Sequence, residues 1–88
     1  MSSHEEEFLN ITARAPFQVY YEGPGKMVSA ANEVGKFDVL PGHADFFSML
    51  IPGEVVIDAK DQEDLITFNI SNGIITVRDN EVMLFVNM

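Results

Sequence analysis

Few side chains in these 88 residues could do chemistry. His43 and Asp45 stand two apart. On an extended chain that spacing puts both on one face, which is half of an imidazole–carboxylate metal site. No third or fourth ligand is evident, and the plainer reading is a histidine that hydrogen-bonds its own loop. His4 lies beside Glu5, Glu6 and Glu7, where a stray metal and a solvated tail are the two readings. Gly23-Pro24-Gly25-Lys26 has the look of a phosphate loop. It lacks the spacing and the Ser or Thr that a P-loop needs, and no helix follows to present amides. Cysteine is absent and no G-x-S-x-G occurs, so no nucleophile has a base near it in sequence. The carboxylates fall in turns and in the amino-terminal stretch, as on a solvated surface. An active site would hold a few of them in a pocket with shifted pKa values. These residues predict neither catalysis nor a cofactor nor a metal.

The bulk properties narrow the partners. The length suits one domain with a modest core. Fourteen acidic against five basic residues give a net charge of −9. Nucleic acid and anionic lipid are disfavoured by that charge, and basic protein partners are favoured. The absence of cysteine fits a reducing compartment. No apolar run approaches the ~20 residues that span a bilayer, so direct membrane insertion is not expected. The acidic start resembles neither a signal nor a transit peptide.

The elements that must position these residues are short and extended. Residues 1–7 read as a disordered acidic tail and 8–88 as one domain. Leu9, Ile11 and Ala13 alternate with Phe8, Asn10 and Thr12, the pattern of a half-buried strand. Pro16 interrupts it and residues 17–21 resume. Residues 22–25 read as a turn, then 27–31 as a strand with Val28 and Ala30 inward. Turns are predicted at 32–35, at Pro41-Gly42 and at Pro52-Gly53. Residues 46–51 are apolar on both faces, and a helical turn there would be no surprise. The acidic 58–64 segment reads as a hairpin tip. Ile66, Phe68 and Ile70 alternate with Leu65, Thr67 and Asn69. Asn72-Gly73 suits a left-handed tight connection, and 74–78 with 82–86 form a closing hairpin around Asp79-Asn80. The fold class expected is all-β, a flattened sandwich or barrel of about nine or ten short strands. A small sandwich buries one face of each sheet, so the doubly apolar runs 46–51 and 82–86 predict a docking patch.

Gly35-Lys36-Phe37-Asp38-Val39-Leu40-Pro41-Gly42-His43-Ala44 resembles the signature of the epsilon subunit of rotary ATP synthases, called delta in mitochondria, in its amino-terminal β-sandwich domain. Tyr21-Glu22-Gly23 with Met27-Val28-Ser29-Ala30, then Leu50-Ile51-Pro52-Gly53-Glu54-Val55-Val56-Ile57, and the closing hairpin are similar in the same order, from about Phe8 to Met88. The resemblance implies a non-catalytic rotor subunit of the central stalk. Such a subunit binds the gamma subunit and the ring of membrane c subunits, and couples proton translocation to ATP synthesis. It would sit peripherally on the cytoplasmic face, most simply of a bacterial inner membrane. By position, the turn Glu33-Val34-Gly35-Lys36 would face the ring, through Glu33 and Lys36, and His43, Phe46 and Ser48 would face gamma. Two departures stand out. Pro24 follows the first glycine, and Lys36 stands where bacterial relatives often carry an acid, which costs affinity unless the ring loop has changed too. The helical hairpin that usually follows the last strand is expected to be missing after Met88, and with it any restraint of ATP hydrolysis. Two other readings are a free-standing acidic β-sandwich adaptor and a small metal enzyme built on His43.

Overall fold

The computed structural model describes residues 7–88; His4 and the first six residues of the expected acidic tail lie outside them. The described residues form eight strands and no helix, as the alternating patterns predict: β1 (Leu9–Ala15), β2 (Gln18–Asn32), β3 (Gly35–Val39), β4 (Phe46–Leu50), β5 (Gly53–Ala59), β6 (Ile66–Ile70), β7 (Gly73–Arg78) and β8 (Glu81–Val86). They pair in the order β4-β7-β8-β1-β2-β5-β6, with β3 also on β2. All pairs are antiparallel except β1 with β8.

The described residues hold eight strands against the expected nine or ten or so, because residues 22–25 are no turn. β2 runs 15 residues without a break. Its first half pairs with β1 and its second half with β3 and β5. The register shifts between Gly25 and Met27, and a bulge bends a strand without reversing it. Gly25 lies so close to β1 that a Cβ there would sit 2.5 Å from Ile11 Cδ1 and 3.1 Å from the Asp58 carbonyl. Pro24 has no N–H to give, but its carbonyl accepts from the Lys60 amide and the Tyr21 hydroxyl.

β2 therefore belongs to two layers. One is β4-β7-β8-β1 with the first half of β2. The other is β3, the second half of β2, β5 and β6. The curled sheet closes at two seams. Tyr20 of β2 stacks on Phe68 of β6 with centroids 4.1 Å apart. On the other side the Ile51 amide donates to the Ala31 carbonyl at 3.1 Å. Between the layers lie Leu9, Ile11, Val28, Ile57, Ile75 and Leu84, each almost wholly buried. Each such side chain contributes about 1.5–3 kcal/mol of transfer free energy. Among the described residues no polar or charged residue is buried.

The turns differ in kind. Leu40 carbonyl accepts from the His43 amide at 3.0 Å around Pro41-Gly42, with Gly42 at φ 88°, a type II turn. Asp79 and Asn80 both have positive φ, 50° and 64°, as a two-residue hairpin turn between right-twisted strands requires. Asn72 and Gly73 do not adopt the left-handed geometry expected of them. β6 and β7 are not neighbours, so their connection crosses between layers and needs no tight reversal. Residues 46–50 are strand β4, with no helical turn.

Candidate functional site: an apolar sheet face and a signature loop

The register aligns outward-facing side chains into cross-strand rows on the first layer. Phe47, Thr76, Met83 and Thr12 make one row, and Met49, Ile74, Phe85 and Arg14 the next. Neighbours in a row are about 4.8 Å apart. Phe47 and Met49 are about two-thirds exposed, at 65% and 70%, and Met83 is exposed as well. The outer face of the second layer is different. Its outward positions include Lys36, Asp38, Glu54, Asp58, Thr67 and Asn69. One sheet face is thus polar, and the other presents contiguous aromatic, thioether and aliphatic surface. A patch of this kind marks an interface, and the methionines give it an adaptable surface.

The sequence-selected residues fall at three places. Glu33 is exposed in the β2–β3 turn, where Asn32 Oδ1 accepts from the amides of Val34 and Gly35 at 2.9 and 3.2 Å. Lys36 is exposed on β3, the next strand. His43, Phe46 and Ser48 cluster along the signature loop and β4. His43 Nδ1 lies 2.7 Å from the Ala44 carbonyl, and its ring meets Phe46 edge-on at 5.5 Å. Phe46 in turn meets Phe37 at 5.2 Å. Ser48 Oγ accepts from Asn32 Nδ2 at 3.0 Å. Phe46 and Ser48 are in phase with buried Leu50, so they are half-buried, and Phe47 and Met49 are the residues of β4 that face solvent.

The loop is tied to the β7–β8 hairpin from below. Gly42 amide donates to Asn80 Oδ1 at 2.8 Å, and Asp79 amide to Asp45 Oδ1 at 3.4 Å. Asp45 is therefore engaged with backbone. Among the described residues no three His, Cys, Asp or Glu side chains group as a metal site. Gly23-Pro24-Gly25-Lys26 lies within β2, and no helix follows it to present amides to a phosphate.

Residues 9–88 match the family described as ATP synthase, Delta/Epsilon chain, beta-sandwich domain. The chain belongs to this family. It is 33% identical over 79 residues to the ATP synthase epsilon chain of Clostridium perfringens (strain 13 / Type A), covering 90% of this chain and 59% of that one. It is 34% identical over 67 residues to the epsilon chain of Xanthomonas axonopodis pv. citri (strain 306), covering 76% of this chain and 47% of that one. The chain thus spans roughly half to three-fifths of these curated relatives' length. The fold recurs in a chain of the Euglena gracilis mitochondrial ATP synthase, with a TM-score of 0.81 at 20% identity over 91% of this chain and 51% of that one. It recurs again in the central stalk/c-ring structure of the Tetrahymena thermophila enzyme, with a TM-score of 0.76 at 19% identity over 91% and 63%.

Within this epsilon-type domain two apolar tips stand out; Phe17 escaped the sequence reading, and Val34 belongs to the turn expected at the ring. Phe17, wholly exposed, tips the β1–β2 hairpin, and Val34, 96% exposed, tips the β2–β3 turn. Pro16 directly before Phe17 was the available signal, since proline favours the first central position of a turn.

Proposed function

We propose that this epsilon-type domain is a non-catalytic part of the central stalk of a rotary ATP synthase. It docks the gamma subunit through the outer face of β4-β7-β8-β1 and rests on the membrane ring through the β2–β3 turn. Its work is mechanical, helping to couple proton translocation to ATP synthesis as a rigid block between shaft and ring. It sits peripherally on the cytoplasmic face of a bacterial membrane, held by its partners; no helix among the described residues is long and apolar enough to cross a bilayer.

The observation that carries this reading is the asymmetry of the two sheet faces. A patch containing Phe47, Met49, Met83 and Phe85 on a chain of net charge −9 fits an apolar partner surface with a basic rim. Phe46 and Ser48 would support that contact from behind, by fixing β4 against Phe37 and Asn32. His43 would do so through the loop. Glu33 and Lys36 would meet the ring.

Co-purification with the gamma subunit of the same genome at moderate salt tests this. Retention of gamma supports the reading. No retention, with the domain folded, sinks it and leaves the free-standing acidic adaptor.

A further inference from the structure

The two most exposed large apolar residues of the described chain project from one end of the sandwich. β1 ends level with β8, since Arg14 pairs with Phe85. β8 ends level with the start of β7 and the end of β4, through Val86–Gly73 and Gly73–Leu50. The next residue, Ile51, donates to Ala31, beside the β2–β3 turn. The tips carrying Phe17 and Val34 therefore share an end, on opposite sides of the first layer. Four strand steps from β4 to β2 separate those sides by about 19 Å.

Both tips are held. Pro16 fixes one φ of the Phe17 loop. Arg14 Nε donates to the Ala15 carbonyl at 3.3 Å, and its Nη2 to the Pro16 carbonyl at 3.5 Å. The Asn32 side chain holds the Val34 turn. Beside the Val34 tip an open groove of about 390 Å³ lies between the β2–β3 turn and β4, lined by Val34, Met49 and Ile51 among others. Most of the acidic residues of the described chain lie at the other end, together with Lys26, Lys60 and Arg78. Asp45, Asp79 and Glu81 lie there, and the Lys60 amide, bonded to Pro24, brings the acidic 58–64 loop alongside. At the tip end Arg14 and Lys36 stand against Glu33 and Glu54.

We infer that Phe17 is a second, apolar foot on the same partner as the β2–β3 turn, so that the domain stands on the ring at two points. This rests on the ring contact proposed above. A ring repeats the same loop at regular intervals, so two rigid tips on one end can engage two of its subunits. Arg14 and Lys36 balance Glu33 and Glu54 at this end, so the apolar tips are its distinguishing surface. A fully exposed aromatic on a pre-ordered turn loses little conformational freedom on docking, which suits it to anchor an interface.

The test uses the assembled complex of soluble head, ring and this chain. Benzoylphenylalanine replaces Phe17 in one sample and Val34 in another, and both are irradiated. Adducts with a ring polypeptide are expected from each. An adduct from position 34 alone overturns the second foot and leaves the ring contact standing. Adducts from neither overturn both. An adduct of position 17 with gamma or lipid also overturns the inference. In parallel, Phe17→Ser should weaken retention on the isolated ring about tenfold and leave gamma binding unchanged; undiminished ring retention overturns the inference.

Discussion

Gly42 in the signature loop donates its amide to Asn80 Oδ1 at 2.8 Å, across 38 residues of sequence. Asn80 does three things at once. Its side chain accepts from Gly42, its carbonyl accepts from the Asn10 amide at 2.8 Å, and its φ is +64°. The loop that the sequence marks as a signature is thereby fixed to the β7–β8 turn and to β1. Asn80→Gly removes the side-chain bond but keeps the backbone easy. Asn80→Ala removes the bond and also the side chain that lets Asn occupy the left-handed region more easily than Ala does, a further cost of about 1 kcal/mol. The expected losses are about 1 kcal/mol for Gly and about 2 kcal/mol for Ala. Urea midpoints measure both, and equal losses would mean that the turn relaxes out of the left-handed region.

Gly25 makes a separate prediction about the bend in β2. Alanine there would place its Cβ against Ile11, which is wholly buried, and against a backbone carbonyl that cannot rotate away. Gly25→Ala should destabilise by about 1–3 kcal/mol. Trimming the clash with Ile11→Val in the same chain should recover only part of the loss, because the Asp58 carbonyl remains. Full recovery would mean that the backbone contact carries no weight.

The same residue shows where the sequence stopped being legible. Strands β1 and β6 alternate with one face more apolar, so their phase could be read directly: Leu9, Ile11 and Ala13 are inside, and Ile70 lies on the inner face of β6. β2 could not be read, because Gly-Pro-Gly signals a turn locally. Only the packing of Gly25 against Ile11 makes it a bend. β4 could not be phased either. Phe46, Phe47, Met49 and Leu50 are apolar in both registers, so which of them face out was settled by pairing with β7. The docking patch was legible as an excess of apolar residues, and the identity of its exposed members was not. Phe17 was hidden for a similar reason, since an aromatic beside Val19 and Tyr20 reads as strand.

Tyr21 gives a pH prediction. Burial raises the pKa of its hydroxyl above the ordinary 10.0, the Asp61 charge adds to this, and a hydrogen bond with the Lys60 backbone opposes it. The folded state thus holds the proton more tightly than the unfolded chain. Its contribution to stability is complete below about pH 10 and drains away as pH rises through the raised value. Tyr21→Phe removes this dependence. The difference in urea midpoint between wild type and Tyr21→Phe should be flat from pH 7 to about 9 and shift against the wild type above about 10. A difference that stays constant to about pH 11.5 would refute the assignment.

The last prediction separates the apolar face from the fold. Phe47 and Met49 are mostly solvent-exposed on an edge strand, so polar replacements there leave no cavity. Phe47→Ser with Met49→Ser should shift the urea midpoint little, since exposed substitutions fall within about 0.5 kcal/mol. Their effect on a partner should be large. An aromatic and a methionine at the centre of a desolvated patch each cost about 1–2 kcal/mol on truncation, so the double change should raise the gamma dissociation constant about 30- to 1,000-fold. Glu54→Ser with Thr67→Ala, on the polar face, is the matched control and should leave it within about twofold. Titration calorimetry of each variant with gamma reads both outcomes. If the polar-face pair weakens binding and the apolar pair does not, the partner covers the second layer, and Phe47, Met49, Met83 and Phe85 are left without a role in docking.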